Sequence, residues 1–555
     1  MGLGVLACAA CAATGGTADH KPTPAVFYTV TAEIALVRGE PRIAALQYAA
    51  AAANESDPDL LQRATQVAAE SLQPTLAAGL AARWITIDPK SLGARRAAAR
   101  AALALHRINE SANHYRIVLM SSSIGTDAEF AQLETELGSD ENIFGARQVA
   151  DRLASFFPSS APARRVQGVT ALRTDDPAAA VQSFSTGLEL KGAGATSDGS
   201  ARREMTQSWL RARIMAGDSE APLAQAKDQL EGEDTTVNRL DYAVLLMAAQ
   251  RNAAATEQLE ILARNPDSAA VALRLLGLLE FQEGHLEAAG RRFTDLLATG
   301  RYLDDAFYYL GLIADRNGDT ERAMRLYSQV RGGDNTVPAL LRATALLRAH
   351  GAAPAAEELL DRLIQEEPQR APQILTARAR LYADSGDFTR AVAVLNRGIA
   401  EYPDNVDLRY AMASIFEAQG RVGAALRELK ALLKSRPDDP AAQNALGYTL
   451  ADHSKELARA RALIERACLA APKNAAILDS LGWVLFRQGH GAQALSYLTA
   501  AYADDRGGDI AAHLGEVLWS LGRSADAEHI WSEASVLDGD NRLLRATRQR
   551  LHKSN

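Results

Sequence analysis

Cysteine is nearly missing from this 555-residue chain, which has three: Cys8, Cys11 and Cys468. That count, with two of the three crowded at the front, excludes a disulfide scaffold. Cys468 lies between Ala467 and Leu469 in a helical pattern and reads as a small buried hydrophobe, not a reactive thiol. No stretch of about 20 apolar residues occurs, so no transmembrane helix is expected. Lysine and arginine form no run and the net charge is −8, which argues against nucleic acid as a partner. Aromatic residues make up only 6% of the chain, while apolar residues make up 47%, much of it alanine. That balance suits closely packed helices.

Catalytic motifs are lacking too. The sequence contains no H-E-x-x-H, no G-x-S-x-G, no S-x-x-K and no Gly-Lys dipeptide, hence no P-loop. His106 and His114 are eight residues apart, but a turn is expected over Ile108–Ser111, which separates them. The Asp504–Asp509 stretch looks like a cation loop, yet Arg506 and Gly508 stand where an EF-hand needs oxygen donors, so it reads as a connector. An enzyme domain hidden in 121–235, the least repetitive region, finds no nucleophile–base pair by spacing. No cofactor, metal or small-molecule substrate is implied, and the chain reads as a non-enzyme.

What the chain does have is a repeat. From Thr376 to Asp540 small residues recur about every 34 positions. They run Ala379…Gly386, Ala413…Gly420, Gly447, Gly482…Gly489 and Gly515…Gly522. Ala391, Ala425, Ala460, Ala494 and Ala527 follow them, and Pro403, Pro437 and Pro472 close three units. This is the signature of tetratricopeptide repeats, each a helix–turn–helix. Leu478, Leu481 and Leu485 share one helical face with Gly482 among them, where a side chain would push the next helix away. One hairpin cannot bury that face, so neighbours must stack. The fold class is therefore all-α: a tetratricopeptide solenoid, a right-handed superhelix of helix pairs.

In chain order, residues 1–24 read as a signal remnant and tether, and 25–190 as divergent helical repeats. The pattern blurs after Ser121-Ser122-Ser123, where Phe130–Leu137 reads as a short irregular helix. Residues 191–200 (KGAGATSDGS) form the best flexible break. Residues 201–375 are middle repeats, with Leu276-Gly277 and Leu310-Gly311 in register; 376–540 are the regular repeats and 541–555 a C-terminal cap.

In such solenoids the first helix of each pair lines the concave face. Here that face carries Tyr410, Asn444, Tyr448, Asp479, Trp483, Phe486, Arg487 and Trp519. Asn444/Tyr448 and Asp479/Trp483 are i,i+4 pairs, each on one face of its helix. Aromatics interleaved with amide and charged groups suit an extended peptide or a partner helix. Trp483 and Trp519 would either anchor such a partner or pack between units. A lysine–asparagine clamp for C-terminal carboxylates is not evident.

Two resemblances narrow the field. The run Val5-Leu6-Ala7-Cys8-Ala9-Ala10-Cys11 resembles the end of a bacterial lipoprotein signal, in which a cysteine is lipidated, although the usual basic start is missing. Alanine, not aspartate, follows each cysteine, so inner-membrane retention is not signalled. The segments Asn444–Asp452, Ile477–Trp483 and Ala511–Gly522 resemble a family of proteobacterial tetratricopeptide lipoproteins. Its best-known type is the lipoprotein partner of the carboxyl-terminal processing protease. The likeness is sharp over 440–537 and looser over 25–440. It implies an outer-membrane anchor through Cys8 or Cys11, facing the periplasm. It also implies an adaptor that binds a periplasmic serine protease and presents peptidoglycan hydrolases to it. Without a working signal, the alternative is a cytoplasmic scaffold.

Overall fold

A computed structural model describes residues 25–53, 55–190, 199–537 and 541–553. Within them the chain forms 31 α-helices and one short 3-10 turn, with no strand among the described residues. The helices alternate as antiparallel pairs stacked in a solenoid. The regular stretch runs Ala371–Asp384 with Phe388–Glu401, Val406–Ala418 with Val422–Ser435, and Pro440–Asp452 with Leu457–Ala470. Ala475–Arg487 with Gly491–Asp504 and Gly508–Ser520 with Ser524–Leu537 complete it. The helix Arg542–Lys553 then lies against Gly508–Ser520, in the place expected for a cap.

Local chemistry sets the boundaries. Asn405, Asp439 and Asn474, one repeat apart, each accept a backbone N–H from the turn they open: Leu408 at 3.1 Å, Ala441 at 2.9 Å and Ile477 at 3.1 Å. Such side chains satisfy the orphan donors at a helix start. First helices end in a left-handed residue, as at Gly489 (φ 87°). The Pro440–Asp452 helix has no glycine there. Ser454 takes the left-handed conformation instead (φ 51°), and the Arg487 guanidinium donates to its hydroxyl.

The two helices of each pair cross closely. A Cβ on Gly482 would stand 2.6 Å from Leu498 Cγ and 3.1 Å from the Ala494 carbonyl oxygen. Ala425, Ala460, Ala494 and Ala527 are fully buried at these crossings. One continuous apolar cluster runs from Ala413 to Leu544 through all the later units. Cys468 is half-buried at its edge, and burial, then Glu465, raises its thiol above the ordinary value. That leaves it a packing residue in thiol form.

The N-terminal half returns to touch the C-terminal half. Asp404 accepts from the Thr75 backbone N–H at 3.2 Å and from its hydroxyl at 3.0 Å, across 329 residues. The helix Pro74–Ile87 has no side-chain cap of its own, so Asp404 supplies one from the other end of the chain. The Arg436 guanidinium donates to the Ala104 carbonyl at 2.6 Å, the last residue of the helix Leu92–Ala104. A cation there also suits the negative helix end. Gln373 donates to Glu141 at 3.0 Å, and the Arg42 guanidinium sits 4.6 Å over the Tyr402 ring. Leu72 and Phe144 pack against C-terminal clusters. Arg42 and Thr75, within the first four N-terminal helices, thus meet the 402–404 loop, and later N-terminal turns meet Arg436 and Gln373. The solenoid is clasped on itself.

Two expectations need correction. The stretch Phe130–Leu137 is not an irregular helix: it lies within a full helix, Thr126–Ser139. Gly125 (φ 90°) restarts the chain, and Asp127 and Glu129 in the first turn suit the helix dipole. The turn between His106 and His114 falls not at Ile108–Ser111 but at Leu105–Arg107, where His106 is left-handed (φ 57°) and the next helix starts at Ile108. Irregularity exists here nonetheless. The helices Ile108–Ser121 and Ile143–Phe156 pack on each other directly, and Thr126–Ser139 packs mainly on Ala161–Arg173. The break expected at 191–200 and the cysteines Cys8 and Cys11 fall wholly or largely outside the described residues.

Gly482→Leu should overpack its crossing and destabilise by about 1–3 kcal/mol. Because each unit touches its neighbours, hydrogen-exchange protection should fall only over roughly 440–540; uniform loss would contradict the solenoid. Removing the clasp with Asp404→Ala and Arg436→Ala should cost about 1 kcal/mol for the lost cap and about 0.3–1 kcal/mol for the lost cation at the helix end. The radius of gyration from X-ray scattering should rise, and exchange should quicken at Thr75; no change in either would show the clasp to be inert.

Candidate functional site

In the regular repeats first helices pack on one another. Ala371–Asp384 meets Val406–Ala418, Pro440–Asp452 meets Ala475–Arg487, and Gly508–Ser520 meets both Ala475–Arg487 and Arg542–Lys553. Their second helices make no mutual contact of that extent among the described residues. First helices therefore form the tighter, inner wall.

Tyr410, Asn444 and Asp479 occupy one repeat position on that wall, three residues before the crossing residues Ala413, Gly447 and Gly482. Thr376 holds the same position before Ala379. Oγ of Thr376, Oη of Tyr410 and Oδ1 of Asn444 are buried atoms with no hydrogen-bond partner, as is Nε2 of His513. Each such atom costs about 1–3 kcal/mol if left unmet. Their alignment along one wall offers regularly spaced hydrogen-bonding capacity.

Around Asp479 the wall is tightly built. His513, 3% exposed, places Nδ1 at 2.9 Å from the Asp479 carboxylate. The Trp483 ring stacks on the His513 imidazole with centroids 4.2 Å apart. Trp483 donates its indole N–H to Asp452 at 3.2 Å. Arg487 donates to the Asp452 carbonyl at 2.8 Å and lies 5.4 Å over the Trp483 ring. Phe486 completes the cluster 5.5 Å from Trp483, and Tyr448 lies 5.8 Å from His513. Burial alone would drive the proton off His513; Asp479, with Asp452 and Asp509, outweighs it and raises the imidazole above its ordinary value. Burial, then Asp452, Asp479, Asp509 and Glu417, pushes the Tyr448 phenol well up and keeps it neutral. This part of the wall is acidic.

Five of the eight residues named from the sequence, Tyr448, Asp479, Trp483, Phe486 and Arg487, thus meet in one cluster. Asp479 and Trp483 are buried, at 7% and 5% exposure, and the other six are half-buried. Asn444 stands one repeat before Asp479. Tyr410 sits toward the clasp, where burial, then Asp439, raises its phenol, with Arg436 and Asp407 also near. Trp519 stands apart, stacked on Trp531 at 5.7 Å and on His552 at 5.4 Å. Sequence reasoning missed Thr376, His513 and Asp452. Thr376 was findable by extending the 34-residue register one unit upstream. His513 was findable the same way, since it stands one 34-residue step after Asp479.

Elsewhere, Glu280, Glu283 and His285 bring ligand-type atoms together at an exposed helix end. His285 pairs with Glu280 at 3.0 Å and with Glu283 at 3.5 Å, which accounts for the cluster. The Asp504–Asp509 stretch is a connector: Asp505 accepts from Gly507 N at 2.9 Å, and Arg506 pairs with Glu533.

The raised His513 value fixes a pH dependence. A group whose pKa is higher folded than unfolded stabilises fully below its unfolded value, about 6.5. That stability is lost as pH rises through the folded value. Protection of the C-terminal repeats should therefore fall above about pH 6.5 and then level off, and His513→Gln should flatten the profile. Loss of the charged hydrogen bond should cost about 1.5–3 kcal/mol at pH 6. Hydrogen exchange across pH 5–9 checks this; the same slope in the variant would assign it to another group.

Models of the tetratricopeptide repeat match residues 276–338, 340–406, 382–447 and 480–541. The TPR repeat-containing protein PA4667 of Pseudomonas aeruginosa is 35% identical over 214 residues, which is 39% of this chain and 36% of that protein. The match therefore spans about a third of the relative's length. Among solved structures, yeast Tom70 aligns over 95% of this chain and 99% of its own at 11% identity, with a TM-score of 0.37. The thermophilic TPR protein TTC0263 of Thermus thermophilus covers 33% of this chain and 98% of its own, at 21% identity and a TM-score of 0.30. A tetratricopeptide repeat protein of Parabacteroides merdae covers 42% and 92%, at 19% and 0.30. With matching repeat models in four stretches and helix pairs crossing at the residues the repeat dictates, those stretches are tetratricopeptide repeats and the fold is a tetratricopeptide solenoid.

Proposed function

We propose that the chain is a non-enzymatic adaptor of the bacterial cell envelope. In this proposal a lipid on Cys8 or Cys11 holds it to the outer membrane, facing the periplasm. Its C-terminal wall binds a periplasmic carboxyl-terminal processing protease and brings peptidoglycan hydrolases to it. The observation that carries the binding role is the line of unmet polar atoms on the half-buried side chains Thr376, Tyr410 and Asn444. An extended segment reaches them where these side chains turn outward, and the half-buried Tyr448 and Phe486 supply apolar contact. The acidic setting of Tyr448 favours a segment carrying basic side chains. The choice of protease rests on the resemblance over 440–537.

The test uses the purified processing protease of the same cell, with binding and thermal unfolding measured on each variant. Asn444→Ala and Tyr448→Ala should each weaken binding by about thirtyfold, on the order of 2 kcal/mol, with unfolding little changed. Trp483→Ala should instead lower the melting point, because a buried tryptophan is worth about 3–5 kcal/mol. Full binding by both of the first two variants would remove the wall from the interface. The anchor is read separately: wild-type chain from envelopes should carry acyl mass, and Cys8→Ser with Cys11→Ser should move it to the soluble fraction. Unchanged partitioning of that double variant would sink the anchor.

A further inference from the structure

The two ends of the solenoid differ. The C-terminal end is closed by Arg542–Lys553, a helix rich in arginine whose outer side pairs with the preceding unit through Arg548–Glu528 and Arg550–Glu516. At the N-terminal end the first described helix presents a largely apolar outer side. In the helix Ala25–Val37, Val26, Val30, Ile34 and Val37 follow one another at helical spacing and are 72%, 52%, 46% and 88% exposed. Ile43 and Leu46 on the next helix add 48% and 55% exposure. Elsewhere in the described residues large exposed apolar side chains are scattered, which needs no explanation. A contiguous apolar end face does, since terminal repeats ordinarily present a polar outer side.

Charge narrows the occupant. The helix Ala25–Val37 carries one charged side chain, Glu33, and it is already engaged: the Tyr48 hydroxyl donates to it and Arg63 lies 3.6 Å away. The strip itself is thus without free charge, and the exposed Arg38 and Glu40 stand only at its end. A neutral apolar strip suits the boundary between lipid headgroups and acyl chains. Position agrees. Residues 12–24 separate Cys11 from Ala25 and span at most about 45 Å fully extended, so a lipid on either cysteine keeps this face beside the bilayer.

We propose that the apolar face of the first two helices is a membrane-contact surface, which seats the N-terminal end of the solenoid at the lipid interface and aims the C-terminal wall away from it. This rests on the envelope anchor proposed above. The lipid holds the chain near the membrane, and the face fixes its orientation.

The experiment uses the full chain with Cys8→Ser and Cys11→Ser, so that no acyl group contributes, and neutral phosphatidylcholine vesicles. The chain should co-float with the vesicles, with little change when salt is raised or phosphatidylglycerol is added. Adding Val30→Asp and Val37→Asp, both at exposed positions, should cut the bound fraction at least tenfold with an unchanged melting curve. Failure of the parent to float, or equal floating by the acidic variant, overturns the proposal. So does a parent that is dimeric by light scattering and becomes monomeric with the acidic substitutions, since the face would then belong to a second copy. The anchor fails on a different result, absence of acyl mass on wild-type chain from cells, which leaves the vesicle measurement untouched.

Discussion

Everything in this chain depends on the close crossing inside each helix pair. At Gly482 there is no room for a Cβ between Leu498 and the Ala494 carbonyl, and at Gly515 the Trp531 indole fills the space a side chain would need. That approach sets the spacing of the inner wall and so decides which residues of the first helices meet. Asp479 reaches His513, and Trp483 stacks on it, because consecutive first helices are held this close. The same small-residue economy explains a composition rich in alanine and poor in aromatics.

A stack of such pairs is quasi-linear, and stability within it is local. The clasp changes that. Asp404 and Arg436 each complete a helix end that the N-terminal half leaves open, on Pro74–Ile87 and Leu92–Ala104. The Asp404 cap is worth about 1 kcal/mol and the Arg436 cation at the helix end about 0.3–1 kcal/mol. Together with Gln373 on Glu141 and Arg42 over Tyr402 they couple units more than 200 residues apart. The coupling is made mostly of exposed and half-buried polar contacts, with Leu72 and Phe144 adding apolar ones, so it is weaker than the stacking it joins. Such a closure can open without any repeat unfolding, since the crossings do not depend on it.

The fold was legible because its signal is periodic. Small residues at fixed spacing gave the pairs, and each cap residue gave a helix start. Where the period fails, legibility failed: Thr126–Ser139 carries no small–small register and was read as irregular, although Gly125 and two first-turn acids define a regular helix. The clasp was invisible, because Asp404 and Thr75 share no pattern and meet only once the superhelix has turned. The wall was partly legible. Repeat position placed Tyr410, Asn444 and Asp479 on one line, but burial depends on neighbours from other units, which spacing does not encode.

Burial matters most for what the wall can do. None of the eight residues read from the sequence is freely exposed; Trp483 and Asp479 are part of the inter-repeat packing itself. A ligand held beside Asn444 and Tyr448 thus lies against the His513, Asp479 and Trp483 contact that holds one first helix to the next. Filling the unmet polar atoms of Thr376, Tyr410 and Asn444 removes a cost of about 1–3 kcal/mol each within the folded stack. Ligand binding and stiffening of the C-terminal repeats are then one free-energy term, not two. It follows that binding here raises the protection of units on either side of the contact, whereas a ligand held only at an exposed rim would leave their stability unchanged.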